Sequence, residues 1–202
     1  MFQHLKEQVQ LFSADQVSGD RRVVLQPLID FIQSQRDAGE IIRLNFICTH
    51  NSRRSHLSQI WAQAMAHAFG IRGVQCYSGG TEATAMFPKV VETLRGQGFA
   101  IQVLGGVENP VYAVKYAENE PPVVCFSKTY DDPFNPKGDF AAIMTCDSAD
   151  ENCPVVFGAR RRIPVKYEDP KAFDHTALQT QKYAERSLEI GQEMFYVFSN
   201  IR

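Results

Sequence analysis

The sequence predicts a three-layer α/β fold in which helices cover both faces of a central parallel sheet. Three observations predict it. Apolar stretches of strand length alternate with stretches of helical period along the chain. Glycines fall where the helical stretches stop. Residues 140–145 form a nearly continuous apolar run, as expected of a strand buried on both faces. The 202 residues are read as one domain, 1–202, and with 44% hydrophobic and 22% charged residues they suffice for a sizeable core.

The elements follow in order. Phe2, Leu5, Val9 and Phe12 recur at roughly helical spacing, and a second helical stretch runs over about 23–36. Pro27 either kinks that second helix or lies in its first turn. Gly39 then acts as a stop, so residues 1–40 form a helical extension ahead of the main fold. Ile42, Leu44 and Phe46 alternate with Arg43 and Asn45 in a strand that ends at Cys48. A helix over 54–69 follows and is stopped by Gly70. The pattern repeats as a strand over 74–78, a GGTEATA loop, and a helix over 88–95 ended by Gly96 and Gly98. After the apolar run come a short strand over 162–166 and a long terminal helix over 176–199. Residues 109–136 break the rhythm: two strands flank a polar, proline-bearing turn, which reads as a hairpin inserted at the sheet edge.

Composition narrows the function. A net charge of -2 argues against general nucleic-acid binding, and Arg160, Arg161 and Arg162 read as a solvated face. No apolar stretch approaches the length that spans a bilayer. The opening MFQHLKEQVQ mixes charges with single apolar residues and is not a secretory signal. A cytoplasmic location is therefore expected, with no membrane partner. There the five cysteines (48, 76, 125, 146 and 153) are free, catalytic or metal-bound rather than structural disulfides.

The segment LNFICTHNSRRS carries the chemistry. Cys48 opens C-x5-R-S, with Arg54 and Ser55 closing it, between a predicted strand and a predicted helix. A loop of this length, Thr49, His50, Asn51, Ser52, Arg53 and Arg54, can turn successive N–H groups inward as an anion-binding nest. The following helix aims its positive end at the same point. A tetrahedral oxyanion would be cradled by amides while the Arg54 guanidinium grips two of its oxygens. The same field acts on the sulfur: a free cysteine has a pKa of about 8.5, and such surroundings lower it to roughly 3.5–7.5. Cys48 would then be a thiolate nucleophile aimed at phosphorus or arsenic, with Ser55 placed to donate a hydrogen bond to it. The competing reading is a buried, inert cysteine beside a surface arginine.

This loop resembles the active-site loop of the low-molecular-weight protein tyrosine phosphatase superfamily, which includes the thioredoxin-coupled arsenate reductases. YSGGTEATAMFPKVVETLRGQGF, residues 77–99, resembles the second strand and following helix of that superfamily. With the motifs below, the resemblance covers about residues 42–175. The helical extension and the hairpin depart from it, as does His50 where the family loop usually has glycine. A backbone needing positive φ there would be strained by histidine, though less than by a β-branched residue, and His50 either fills the loop or contacts substrate. By the same resemblance the general acid is the aspartate of an Asp-Pro pair near the C-terminus, Asp169 in Tyr167-Glu168-Asp169-Pro170. Asp132-Pro133 is a second such pair, but Asp169 follows a predicted strand, where parallel sheets present their sites. Lys171 and Ala172 stand where tyrosine phosphatases of the family usually carry aromatic residues.

MTCDSADENCPVV, residues 144–156, resembles the redox segment of the thioredoxin-coupled arsenate reductases. The resemblance implies that Cys48 attacks arsenate and that Cys146 attacks the adduct, releasing arsenite. Cys153 then attacks Cys146, leaving a disulfide for a thioredoxin-type reductant. Read without the resemblance, the two cysteines are packing residues or half of a metal site, which would lack a second cysteine pair or suitably spaced histidines. Cys76 and Cys125 read as core residues. No cofactor or metal is expected. The leading reading is an arsenate reductase, and the alternative is a protein tyrosine phosphatase or other phosphomonoesterase that uses only Cys48, Arg54 and Asp169. A third class is a non-enzymatic module that keeps the cradle to sense oxyanions.

Geometry adds a condition to the cysteine pair. Seven residues of helix rise roughly 10 Å at 1.5 Å each, whereas a disulfide tolerates about 7 Å between Cα atoms. If the segment is helical when reduced, it must unwind to close the bridge. Oxidation is therefore expected to shift the backbone amide resonances of residues 146–153, and unchanged resonances would refute the rearrangement.

Overall fold

The computed structural model describes residues 1–152 and 155–202. Cys153 lies outside the described residues. Two helices come first, α1 (Gln3–Gln10) and α2 (Gly19–Asp37), then β1 (Ile42–Cys48), α3 (Arg54–Ala68), β2 (Val74–Gly80) and α4 (Pro88–Gly96). Three short strands follow: β3 (Ala100–Gly105), β4 (Val111–Lys115) and β5 (Val123–Cys125). The chain closes with β6 (Phe140–Met144), α5 (Asp147–Asn152), β7 (Ala159–Pro164) and α6 (Gln179–Ser199).

The central sheet has the order β2-β1-β6-β7 and is parallel throughout. Alternation along the strands assigns the two faces. Leu44, Phe46, Ala141 and Ile143 enter the main core, shared with α2, α3 and α6. Ile47, Ala142 and Met144 enter a smaller cluster on the other face, with Ala149 of α5 and Val156. The helical layers are thus unequal, and α5 is the element that covers the second face beside the end of β1. In the main core Trp61 is fully buried. Its indole N–H donates to Ser187 Oγ at 2.9 Å, which satisfies the one polar atom it brings inside.

The first 40 residues precede the strands in sequence but are not peripheral in space. Ser18 caps α2 by accepting from the Arg21 N–H, and Leu25, Leu28, Phe31 and Ile32 of α2 are buried in the main core. Pro27 lies well inside α2 rather than in its first turn. Phe12 packs edge-on against Trp61, with ring centroids 5.6 Å apart. Arg21 of α2 forms a two-pronged ion pair with the buried Glu193 of α6, at 2.6 and 2.7 Å.

The inserted hairpin needs correction. β4 and β5 do pair antiparallel, but β3 joins them in a separate three-stranded sheet of order β3-β4-β5. β3 escapes sequence reading because it is mostly exposed on both faces, so no period-2 burial pattern marks it. Among the described residues, an isolated bridge between Gly80 and Thr129 joins the end of β2 to the segment after β5. Elsewhere the outer edge of β2 is met by side chains of α3. Gln63 bonds the Val74 carbonyl and the Cys76 N–H, and Gln59 bonds the Cys76 carbonyl.

β7 starts three residues earlier than expected, since Arg160 and Arg161 hide an exposed edge strand from a hydrophobicity reading. The three arginines are not merely a solvated face: Arg160 pairs with Asp139 and Arg162 with Asp150 of α5. Among the described residues, no helix is long and apolar enough to cross a membrane.

The Arg21–Glu193 pair generates a stability prediction. Replacing Arg21 with methionine leaves a buried carboxylate without its partner, which costs about 1–3 kcal/mol. Chemical denaturation should show that loss, and adding Glu193→Gln should recover part of it. A loss equally large in the double variant would show that the charge pair is not its cause.

Candidate active site

The loop between β1 and α3 is shaped by where its carbonyls go. The Cys48 carbonyl accepts from the Thr81 N–H, and the Thr49 carbonyl from the Glu82 N–H and the Thr81 hydroxyl. The His50 carbonyl accepts from the hydroxyls of Thr84 and Ser127, and the Ser52 carbonyl from the Phe87 N–H. All these partners come from the segments after β2 and β5. In a trans peptide the C=O of one residue and the N–H of the next point in opposite directions. Carbonyls drawn toward those segments therefore turn the N–H groups of Thr49, His50, Asn51 and Arg53 the other way, into the loop. This is the concavity of a nest.

The close approach requires glycine. A Cβ on Gly80 would stand 2.6 Å from the Thr49 carbonyl oxygen and 2.7 Å from the Asn51 nitrogen, and one on Gly79 would stand 2.3 Å from the Tyr130 Cα. The left-handed residue of the loop is Asn51, with φ 44°, and His50 is spared that strain. Asparagine tolerates this region, and its side chain is held at both ends. Its Oδ1 accepts from the Lys128 N–H at 3.0 Å, and its Nδ2 donates to Ser55 Oγ at 2.9 Å. Since Ser55 already accepts from Asn51, its own hydrogen is free to point at the Cys48 sulfur, 3.1 Å away. Both Cys48 and Ser55 are buried. The His50 side chain is half exposed, and its Nε2 lies 3.8 Å from a Glu82 carboxylate oxygen.

The two arginines diverge. Arg54 donates to the Tyr167 carbonyl at 2.9 Å and to Asp169 Oδ2 at 2.7 Å. Its Nε is buried with no hydrogen-bond partner among the described residues, a donor suited to an anion. Arg53, grouped by sequence with the oxyanion binders, turns its side chain away. It reaches the Tyr183 hydroxyl and Asp174 Oδ2, both at 2.6 Å, with its guanidinium 4.1 Å from the Phe87 ring centroid. Only its backbone N–H is turned toward the nest.

Asp169 stands beside Arg54 and also accepts from the Lys171 N–H at the start of a short 3-10 turn, Pro170–Phe173. The other Asp-Pro is an ordinary turn: Asp132 accepts from the Phe134 N–H, and Pro133 follows it away from the loop. Cys146 directly precedes α5, is buried, and accepts from the Ala149 N–H. Its sulfur lies 3.5 Å from the Thr49 hydroxyl, which makes Thr49 a bridge between the nest and the second thiol. Cys48 and Cys146 share the smaller apolar cluster. Helix α5 occupies 147–152, so the condition set for the cysteine segment is met over that stretch. Cys76 and Cys125 are core residues, and burial pushes both thiols up, Cys125 to about 12.

Sequence reading missed three participants. Lys128 is buried with Nζ 4.4 Å from the Phe126 ring centroid, and burial lowers its pKa to about 8. His56 is fully buried against Ser78, and burial first and Lys128 second lower its pKa to about 3. Asp174 receives Arg53. Nothing in their local sequence marks them, because each matters through residues distant along the chain.

Residues 43–118 match the family model described as low molecular weight phosphotyrosine protein phosphatase. No curated protein sequence matches the chain. Among solved structures, a low molecular weight protein tyrosine phosphatase from T. tengcongensis aligns over 79% of this chain and 99% of its own, at 14% identity and TM-score 0.53. A YwlE arginine phosphatase aligns over 78% and 94%, at 12% identity and TM-score 0.52. An arsenate reductase in the phosphate binding state aligns over 80% and 99%, at 13% identity and TM-score 0.50. At these identities the likeness is one of fold. The chain thus has the fold of the low-molecular-weight phosphatase superfamily, and residues 43–118 carry its sequence signature.

Lys128 yields a pH prediction. Its pKa falls from 10.5 to about 8 in the folded state, so between those values the unfolded chain binds more protons and stability rises with pH. Wild type should therefore gain stability relative to Lys128→Met as pH rises from about 8 to 10.5. A difference that stays constant over that window would refute the burial of a charged amine beside the loop.

Proposed function

We propose that this protein, which has the low-molecular-weight phosphatase fold, is an arsenate reductase that works by a three-thiol relay. The observation that carries the reading is Cys146: a buried thiol in the same apolar cluster as Cys48 and 3.5 Å from the hydroxyl of the residue next to it. The Cys48 thiolate attacks arsenic(V), and a bound oxygen departs as water after Asp169 supplies a proton. The nest amides and Arg54 take up the charge on the remaining oxygens. The Cys146 thiolate then attacks the Cys48 sulfur. The S–As bonding pair passes to arsenic, which leaves as arsenite, and a Cys48–Cys146 disulfide remains. Cys153 attacks Cys146, freeing Cys48, and a dithiol reductant of the thioredoxin type reduces the Cys146–Cys153 bridge. Lys171 and Ala172 directly after Asp169-Pro170, where tyrosine phosphatases of the family usually carry aromatic residues, support a small inorganic anion over an aryl phosphate.

A second reading has its own support. Cys48, Ser55, Arg54 and Asp169 are all that phosphate-ester hydrolysis through a phosphocysteine requires, and the matching family model is a phosphatase description. Steady-state arsenite release with a thioredoxin-type recycling system separates the two. Wild type should turn over, and Cys146→Ser should lose essentially all recycling turnover while still hydrolysing an aryl phosphate slowly. Equal arsenate turnover in both proteins would remove the reductase reading.

A further inference from the structure

Two consecutive arginines of the loop hold opposite ends of one segment. Arg54 binds the Tyr167 carbonyl and Asp169, while Arg53 binds Asp174. The segment between, 167–174, carries the proposed acid. Arg53 sits in a closed slot: its guanidinium lies over Phe87, its Nε donates to Tyr183 of α6, and its side chain, like that of Asp174, is about nine-tenths buried. Asp174 is held in turn by the Tyr183 hydroxyl at 2.5 Å and the Gln179 amide at 3.1 Å. Burial pushes the Asp174 carboxyl up, but the bonds from Tyr183, Gln179 and Arg53 outweigh it and keep the group below the ordinary carboxylate range. Phe87 also donates its N–H to the Ser52 carbonyl, so the slot is built onto the nest itself.

We propose that Arg53 is a positioning residue that latches the acid-bearing segment 167–174 to the nucleophile loop and so sets where the Asp169 carboxyl meets the departing oxygen. The inference rests on the site reading above, in which Asp169 is the proton donor. A guanidinium that lies over a ring and gives one N–H to Asp174 and another to Tyr183 fixes both distance and orientation, which a lysine at the same place would not. The placement has to be close, because a shift of about 1 Å between reacting groups can cost roughly 10²-fold in rate.

The test is a series of phosphate monoesters running from good to poor leaving groups, assayed with wild type, Arg53→Met, Asp174→Asn and Asp169→Asn. A displaced acid matters most where the leaving group needs a proton. Arg53→Met and Asp174→Asn should therefore lose kcat progressively, with the deficit deepening by roughly 10²-fold from the best to the poorest leaving group. Adding Arg53→Met to Asp169→Asn should deepen it no further. A loss of the same factor across the whole series would overturn the latch, because general damage to the fold does not discriminate among leaving groups. Amide hydrogen exchange over 167–175 provides a reading that needs no turnover: it should accelerate in Arg53→Met, and unchanged exchange would also overturn the latch. If wild type hydrolyses none of the esters, the site reading fails, while exchange still decides whether Arg53 holds the segment.

Discussion

The site depends on the direction of four carbonyl groups. Once those of Cys48, Thr49, His50 and Ser52 are engaged by the segments that follow β2 and β5, peptide planarity leaves the intervening N–H groups no choice of side. The cradle is thus imposed from outside the loop. This explains why Gly79 and Gly80 end β2 and why the connection after β5 runs where it does: both must come within van der Waals contact of the loop's main chain. It also explains why a left-handed residue falls at Asn51. There the chain reverses its peptide plane, and an amide side chain can bind Lys128 on one side and Ser55 on the other.

Around this frame the charges are sorted by distance from the sulfur. Arg54 is largely buried, with its Nε unengaged among the described residues, whereas Arg53 is consumed by Asp174 and Tyr183. Lys128 and His56 are both buried behind the loop, with different outcomes. His56 is held neutral by burial and by the Lys128 charge, whereas Lys128, lowered only to about 8, keeps its charge at neutral pH.

Most of the sheet was legible because burial on both faces leaves a plain mark. The apolar run at 140–145 and the alternation from Ile42 to Phe46 identify β6 and β1, and the glycines after α2 and α3 adopt the positive φ that ends a helix. What the sequence hid has physical reasons. β3 is exposed, β7 is an edge strand studded with arginine, and the pairing partners of β4 follow from chain reversal rather than composition. The loop after β1 was legible as spacing: Cys48 and Ser55 meet at 3.1 Å, and Arg54 opens α3. The left-handed residue was not legible: it is Asn51, one place after His50, where the family loop usually has glycine. The destination of Arg53 could not be read at all, because Asp174 is more than a hundred residues away.

The outer border of β2 has a consequence for how this protein meets others. An unpaired strand edge ordinarily offers a template on which a foreign strand can zip. Here Gln59 and Gln63 reach out from the helix behind and occupy the Val74 and Cys76 main-chain groups in place of a fifth strand. Two amide side chains thus act as a surrogate strand that cannot propagate. An incoming strand would have to displace both amides before it could pair at Val74 and Cys76.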